Sequence, residues 1–521
     1  MSLPRTPVVL VGALLAGTVL AGCGNKAASK QTLPLDAANQ HVLRLAFFSD
    51  MATADPNVFY DIEGDAISQS AYEGLLRYKP GTTTLEGALA SRFEVGSDRR
   101  SYTFHLRDAA FSDGTPVTSS SMKASFLRMT KVNQGPAYML ADVAGYDTPD
   151  PRTFVVRLKK PVSSFADLMA SVWGPKAINP KVLTAHPADQ AQKYLKTHTA
   201  GTGPFALTKW QPGTGYTLAR NARYWGPKPY FQQVQISIKP DASSQLLELQ
   251  RGDLDGILHG VPISSLDALK GKGGLTVKKF PSLGTVTLAV NQTRPALKDR
   301  AVREALVKAI NVPTLVPSVW GDAATAMASS YPSPLLPKGA APLSYPYDEA
   351  KIKAALPAGM KVTVVYSPDS SGVQRRFADL MRQNLAKVGV TVTERQAQLS
   401  AVFAYRDKPE EAPDFYISTP TPDAAAPDAW ARIVWHSEGG LNFFNYSNAQ
   451  VDAAMDQALR EPDKAKAAAL YAKAGELATA DYGEAPIAQV KDLMVLRSDL
   501  TGVEHVPAYP WTLNLGALGR K

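Results

Sequence analysis

The chain has 521 residues, more than one core usually serves, so two or three domains are expected. Hydrophobic residues make up 45% and charged residues 20%, as in ordinary soluble globular proteins. The formal charge of +9 comes from scattered Lys and Arg, with no dense basic block among aromatics, so no nucleic-acid partner is indicated.

Residues 1–5 carry one positive charge, and residues 8–22, VVLVGALLAGTVLAG, form an uncharged apolar run of 15 residues. A bilayer span needs about 20 such residues. The shorter length suits the apolar region of a signal peptide. The run ends in LAGC at the single cysteine, Cys23. This resembles the bacterial lipobox, which implies cleavage before Cys23 and lipidation of its thiol. Residues 1–22 are then a lipoprotein signal peptide and residues 23–40 a polar tether. The body is expected outside the cytoplasm, anchored to the cell membrane by lipid. One thiol also excludes an intramolecular disulfide, a Cys-based zinc site and a CxxC pair.

Further along, RLAFF (44–48) reads as a buried strand. SYTFHLR (101–107) alternates, with Tyr102, Phe104 and Leu106 on one face. FSDGTPVT (111–118) turns the chain, and SMKASFLRMT (121–130) looks helical. TFVVRL (153–158) is another strand, and AGTGPFAL (200–207) holds the glycines of a tight turn. GTVTLAVNQ (284–292) is β-branched and precedes a helix, 299–310. There Val302, Ala305, Leu306, Ala309 and Ile310 share a face, with Asp299 as N-cap. Residues 329–348 are Pro-rich and irregular. KVTVVY (361–366), a helix with Phe377, Met381 and Leu385 inward, and VTVTE (390–394) form a β-α-β unit with a parallel pair. A helical region spans about 449–479, and residues 485–496 return through the fold. The pattern is mixed α/β.

Catalytic signatures are missing: there is no HExxH, GxSxG, GxxxxGK[ST] or EF-hand pattern. The glycines at 201 and 203 run into Pro204 and cannot start a dinucleotide fingerprint. The seven histidines are too dispersed to indicate a ligand pair. No enzyme, cofactor or resident metal is expected.

Five motifs occur in register. They are YEGL, YTFHLR, FSDGTPVT and SFLR within 72–128, GTGPFALTKWQPG at the start of 201–238, LELQRGDLDGIL at 247–258, residues 290–310, and FNYSNAQVDAAMDQAL at 444–459. Together they resemble solute-binding proteins of the peptide and nickel ABC importer family, the oligopeptide- and dipeptide-binding lipoprotein type (family 5). The resemblance implies a two-lobed periplasmic-binding-protein-like α/β fold (class II-like). Lobe one would be 41–285 plus 497–521, with a subdomain inserted at about 77–200. Lobe two would be 291–490, and crossing strands at about 285–292 and 487–496 would act as the hinge. It further implies a monomeric receptor that binds short peptides between its lobes and delivers them to the transmembrane subunits of an ABC permease.

Peptide-binding members carry an Asp four residues before a Pro that pairs with the ligand's α-amino group. Asp423 and Pro427 meet that spacing, although Pro420 stands where a Trp is usual. A turn or cap role for Asp423 is the competing expectation, with Asp428 the better cap. Trp430 and Trp435 are candidates for the cleft wall or the lobe-two core. Met51, Ala52 and Thr53 are expected at the cleft edge, where backbone groups pair with an extended peptide. The same fold also accommodates a nickel or other metal chelate, haem, an opine or a sugar, and His436 keeps a metal complex in view. A sensory or hydrolytic lipoprotein is the remaining alternative.

Overall fold

The structure, a computed structural model, describes residues 40–269, 273–369 and 371–521. The expected lipidation site at Cys23 and nearly all of the tether lie outside the described residues. Two long antiparallel strands, Leu275–Val290 and Glu484–Arg497, organise the fold. Their pairing runs from Leu275 opposite Arg497 to Ala289 opposite Glu484, with register shifts between Pro281 and Thr285 and between Val286 and Thr287.

These two strands are central members of an 11-stranded mixed sheet. On one side follow Gly256–Ile257, Val42–Phe47, Gln233–Ile238, Gly215–Arg220 and Phe205–Gln211. On the other lie Phe415–Ser418, Lys361–Tyr366 and Thr391–Gln396. We call the first side lobe one and the second lobe two. Lobe one also carries a separate antiparallel sheet in the order Ala90–Val95, Ser101–Leu106, Thr153–Leu158, Val143–Asp150.

Local patterns explain most elements. In Ser101–Leu106 the buried side chains are Tyr102, Phe104 and Leu106, as strand alternation requires. Helix Arg300–Ala309 starts at Asp299, whose carboxylate accepts from the Ala301 N–H at 2.8 Å. The strands Lys361–Tyr366 and Thr391–Gln396 pair in parallel around helix Val373–Lys387, whose buried face includes Phe377, Met381 and Leu385. The helical region near residue 450 is two helices, Ala449–Arg460 and Lys464–Ala480. Pro462 cannot continue the first, and Asp463 caps the second by accepting from the Ala465 and Lys466 N–H groups. Gly201 and Gly203 are required by close approach rather than by unusual dihedrals. A Cβ on either would lie 2.2 Å from a carbonyl oxygen of Ala71 or Ser70.

One buried ion pair holds the loop that leads to the lobe seam. Arg128, on helix Ser119–Val132, meets Asp55 through Nη1 at 2.8 Å and Nη2 at 2.5 Å. Nη1 also donates to Asn57 Oδ1, and Nε to the Gln190 carbonyl. With its guanidinium bonded on every side, this pair overcomes its desolvation cost, whereas a lone partner could not. Arg128→Ala should lower stability by about 3–5 kcal/mol, read as a lower urea midpoint.

Candidate functional site

Strand Phe415–Ser418 delivers the loop 419–426 to the seam between the lobes. The loop is pinned from behind by Thr285, whose backbone N–H and hydroxyl both donate to the Pro420 carbonyl at 3.0 Å. From lobe one, Ser171 Oγ donates to the Asp423 carbonyl at 2.5 Å, and the Ala425 N–H donates to Tyr78 Oη at 2.8 Å. Both flanks of Asp423 are thus held across the seam.

Asp423 is 4% exposed. Its Oδ2 accepts from Tyr60 Oη at 2.7 Å and from Tyr138 Oη, both in lobe one. Among the described residues no Lys, Arg or His forms an ion pair with this carboxylate. Burial therefore pushes its pKa up to about 6, against the opposing pull of the two phenol hydrogen bonds. A carboxylate placed like this is costly to ionise without a facing cation. Helix Pro427–Trp435 has Ala426 at its N-cap with no side-chain bond there, so neither Asp423 nor Asp428 caps it. Asp428 lies in the first turn instead, paired with Arg432 and accepting from Tyr471 Oη.

Beside this loop lies a cavity of about 380 Å³ with walls from both lobes and the crossing strands. Ile62, His259 and Trp511 face it from lobe one; Asp369, Tyr416, Leu441 and Phe443 face it from lobe two. Thr419, Pro420 and Thr421 connect it to Asp423 along the chain, and Ile62 connects it to Tyr60. Thr421 Oγ1 is buried with no hydrogen-bond partner among the described residues. His259 Nδ1 is already engaged by Glu63 Oε1 at 2.8 Å. Pockets with apolar walls and a few placed polar groups are the usual form of small-ligand sites.

The other sequence candidates lie elsewhere. Trp430 and Trp435 are 0% exposed, in the buried cluster that also holds Tyr331, Val451 and Met455, and neither lines the cavity wall. Trp430 Nε1 donates to the Ser330 carbonyl, and the Trp435 ring meets Tyr331 edge-on at 5.4 Å. Met51 and Thr53 are buried in lobe one and Ala52 is exposed. The Met51 N–H is taken by Tyr216 Oη at 2.8 Å, and Thr53 Oγ1 accepts from the Asp55 N–H. His436 is buried, its Nδ1 accepting from the Glu438 N–H. Among the described residues no cluster of three His, Cys, Asp or Glu side chains is placed to hold a metal. Sequence reasoning missed Tyr60, Tyr138, Ser171 and Tyr78. Their partners lie hundreds of residues away, and no local pattern marks them.

Known proteins share this architecture. A family model described as "Bacterial extracellular solute-binding proteins, family 5 Middle" matches residues 84–442. A probable D,D-dipeptide-binding periplasmic protein of Escherichia coli (strain K12), DdpA, is 29% identical over 499 residues, covering 93% of this chain and 95% of that protein. Among solved structures, DppA of Helicobacter pylori in complex with the peptide STSA superposes with a TM-score of 0.79 at 22% identity, covering 92% and 98% of the two chains. NikZ of Campylobacter jejuni in complex with Ni(L-His) superposes at 0.80 and 20% identity, covering 92% and 100%. At those identities the structural likeness establishes the two-lobed fold. The family model spans well over half the chain, and on that ground the protein belongs to the bacterial extracellular solute-binding proteins of family 5.

Proposed function

We propose that this chain is a lipid-anchored extracytoplasmic receptor that captures short peptides between its lobes and delivers them to an ABC permease. Asp423 carries the reading. It is a buried carboxylate at the lobe seam with no cation partner among the described residues, two positions along the chain from Thr421 on the wall of a largely apolar cavity. A peptide's α-ammonium would supply the missing charge. The rest of the ligand would run past Ile62 and Thr421 into the cavity, where Thr421 Oγ1 offers a free hydrogen-bonding group. DdpA, named a probable D,D-dipeptide-binding protein, and DppA, solved in complex with the peptide STSA, point to the same ligand class. The chain's work on this reading is binding, with no covalent step. NikZ with its nickel–histidine complex motivates a chelate as the second reading, since His259 lines the cavity. Peptide is favoured because His259 already has Glu63 as partner while Asp423 has no cation partner among the described residues.

Native mass spectrometry of the purified protein, followed by calorimetry with free and N-acetylated dipeptides, tests the proposal. Free dipeptides should bind and acetylated ones should not; equal binding would rule out the ammonium role. Asp423→Asn should weaken binding by about 2–5 kcal/mol if the charge pair is enclosed. Affinity should also depend on pH. Below the raised pKa of about 6, Asp423 holds a proton that an ammonium must displace. The dissociation constant should therefore rise toward tenfold per pH unit below that value and level off above it. Titrations between pH 5 and 7.5 would show this slope, and Asp423→Asn should abolish it. For the anchor, globomycin should block processing at Cys23 in cells.

A further inference from the structure

A second cavity, of about 480 Å³, lies within lobe one and shares no lining residue with the cavity between the lobes. Helix Asp65–Ala71, strand Leu76–Tyr78 and residues 504–515 form much of its wall, joined by Lys176. Rings and aliphatic side chains supply the larger part of the surface, among them Tyr72, Leu76, Tyr224, Tyr509 and Leu513. Lys176 is 4% exposed, and its ammonium donates to the Ser171 carbonyl at 2.8 Å. Among the described residues no carboxylate forms an ion pair with it. Gln69 Nε2 and Thr512 Oγ1, on the same wall, are buried with no hydrogen-bond partner among the described residues.

The unused groups of this cavity are donors. An ammonium carries three N–H groups, a carboxamide nitrogen two and a hydroxyl one O–H. The acceptors on the same wall are already engaged. Glu73 Oε2 accepts from Thr202 Oγ1 and Trp225 Nε1, each at 2.8 Å. Glu86 is paired with Arg77 at 2.7 Å, and Glu504 accepts from Asn514 Nδ2 at 2.9 Å. Lys79, the remaining cation on the wall, is exposed to water. Asp65 and Glu73 favour the charge on Lys176, but burial outweighs them and brings its pKa down to about 8. Asp65 is a poor counterion, since burial pushes its own pKa well up and its oxygens have no hydrogen-bond partner among the described residues. Open donors around a buried cation suit an oxyanion, and the ring-lined walls suit an apolar body attached to it. We propose that this cavity is a second ligand site, which takes an organic carboxylate with an apolar body and holds it through Lys176, Gln69 and Thr512. The site lies apart from Asp423 and stands whether or not the chain binds peptides.

The probes are phenylacetate, its neutral counterpart phenylacetamide, and inorganic phosphate, each titrated calorimetrically into the purified full protein. Phenylacetate should bind at least roughly tenfold more tightly than either of the others. Lys176→Met should weaken it by roughly tenfold or more, the worth of a charge-assisted hydrogen bond, and Thr512→Val several-fold. Thermal melting checks both folds. Thr512→Val removes a hydroxyl with no protein partner among the described residues, so it carries the test if Lys176→Met does not fold. Raising the pH from 7 to 9 should weaken phenylacetate by about tenfold, as Lys176 loses its proton. In crystals soaked with para-bromophenylacetate, the bromine should lie inside this cavity. Equal binding of phenylacetamide would rule out the role of the charge, and equal binding of phosphate that of the apolar body. Phenylacetate that gives no binding, that binds the variants as it binds the wild type, or whose bromine lies only between the lobes would overturn the site.

Discussion

A carboxylate removed from water must find compensation, and at Asp423 that compensation comes from the opposite lobe. Two phenol hydroxyls face it, a serine grips its carbonyl, and a tyrosine oxygen accepts from the N–H two residues on. None of these partners belongs to the lobe that carries the acid. The electrostatic demand of one side chain is thus met only where the lobes touch. The surrounding structure serves that meeting: the Asp55–Arg128 pair sets the Tyr60 loop, and Thr285 on a crossing strand sets the Asp423 loop.

The cavity beside this acid is different in character. Its walls are mainly aromatic and aliphatic, and polar groups within it, such as His259 and Asp369, are already bonded to protein. On the proposed reading, the acid beyond Thr421 would hold one end of a ligand strongly and the apolar walls would leave the rest loosely specified.

Much of the scaffold was legible because it is written locally. The alternation in residues 101–107, the cap at Asp299 and the β-α-β unit from residue 361 each lie within a few turns of chain. The break at Pro462 was a local signal too, but the helical periodicity on either side masked it. The seam was another matter. Tyr60 and Tyr138 reach Asp423 across 363 and 285 residues, and nothing near either tyrosine announces its partner. Trp430 and Trp435 illustrate the same limit: an indole looks alike in sequence whether it walls a cleft or fills a core. Here the two rings pack edge-on against each other, Trp435 also meets Tyr331, and neither has exposed surface.

The strand Glu484–Arg497 pairs with Leu275–Val290 along one edge, and its opposite edge takes Gly256–Ile257 near one end and Ala324–Ala326 further along. It is thus a central strand of the common sheet, and each of its partners precedes it by well over a hundred residues. During synthesis those earlier strands would wait with unpaired edges until Glu484–Arg497 had emerged. Such late, non-local pairing favours slow folding and leaves intermediates prone to aggregation. The element that joins the lobes therefore also sets the order of assembly, making the native state an outcome of the whole chain rather than of its successive parts.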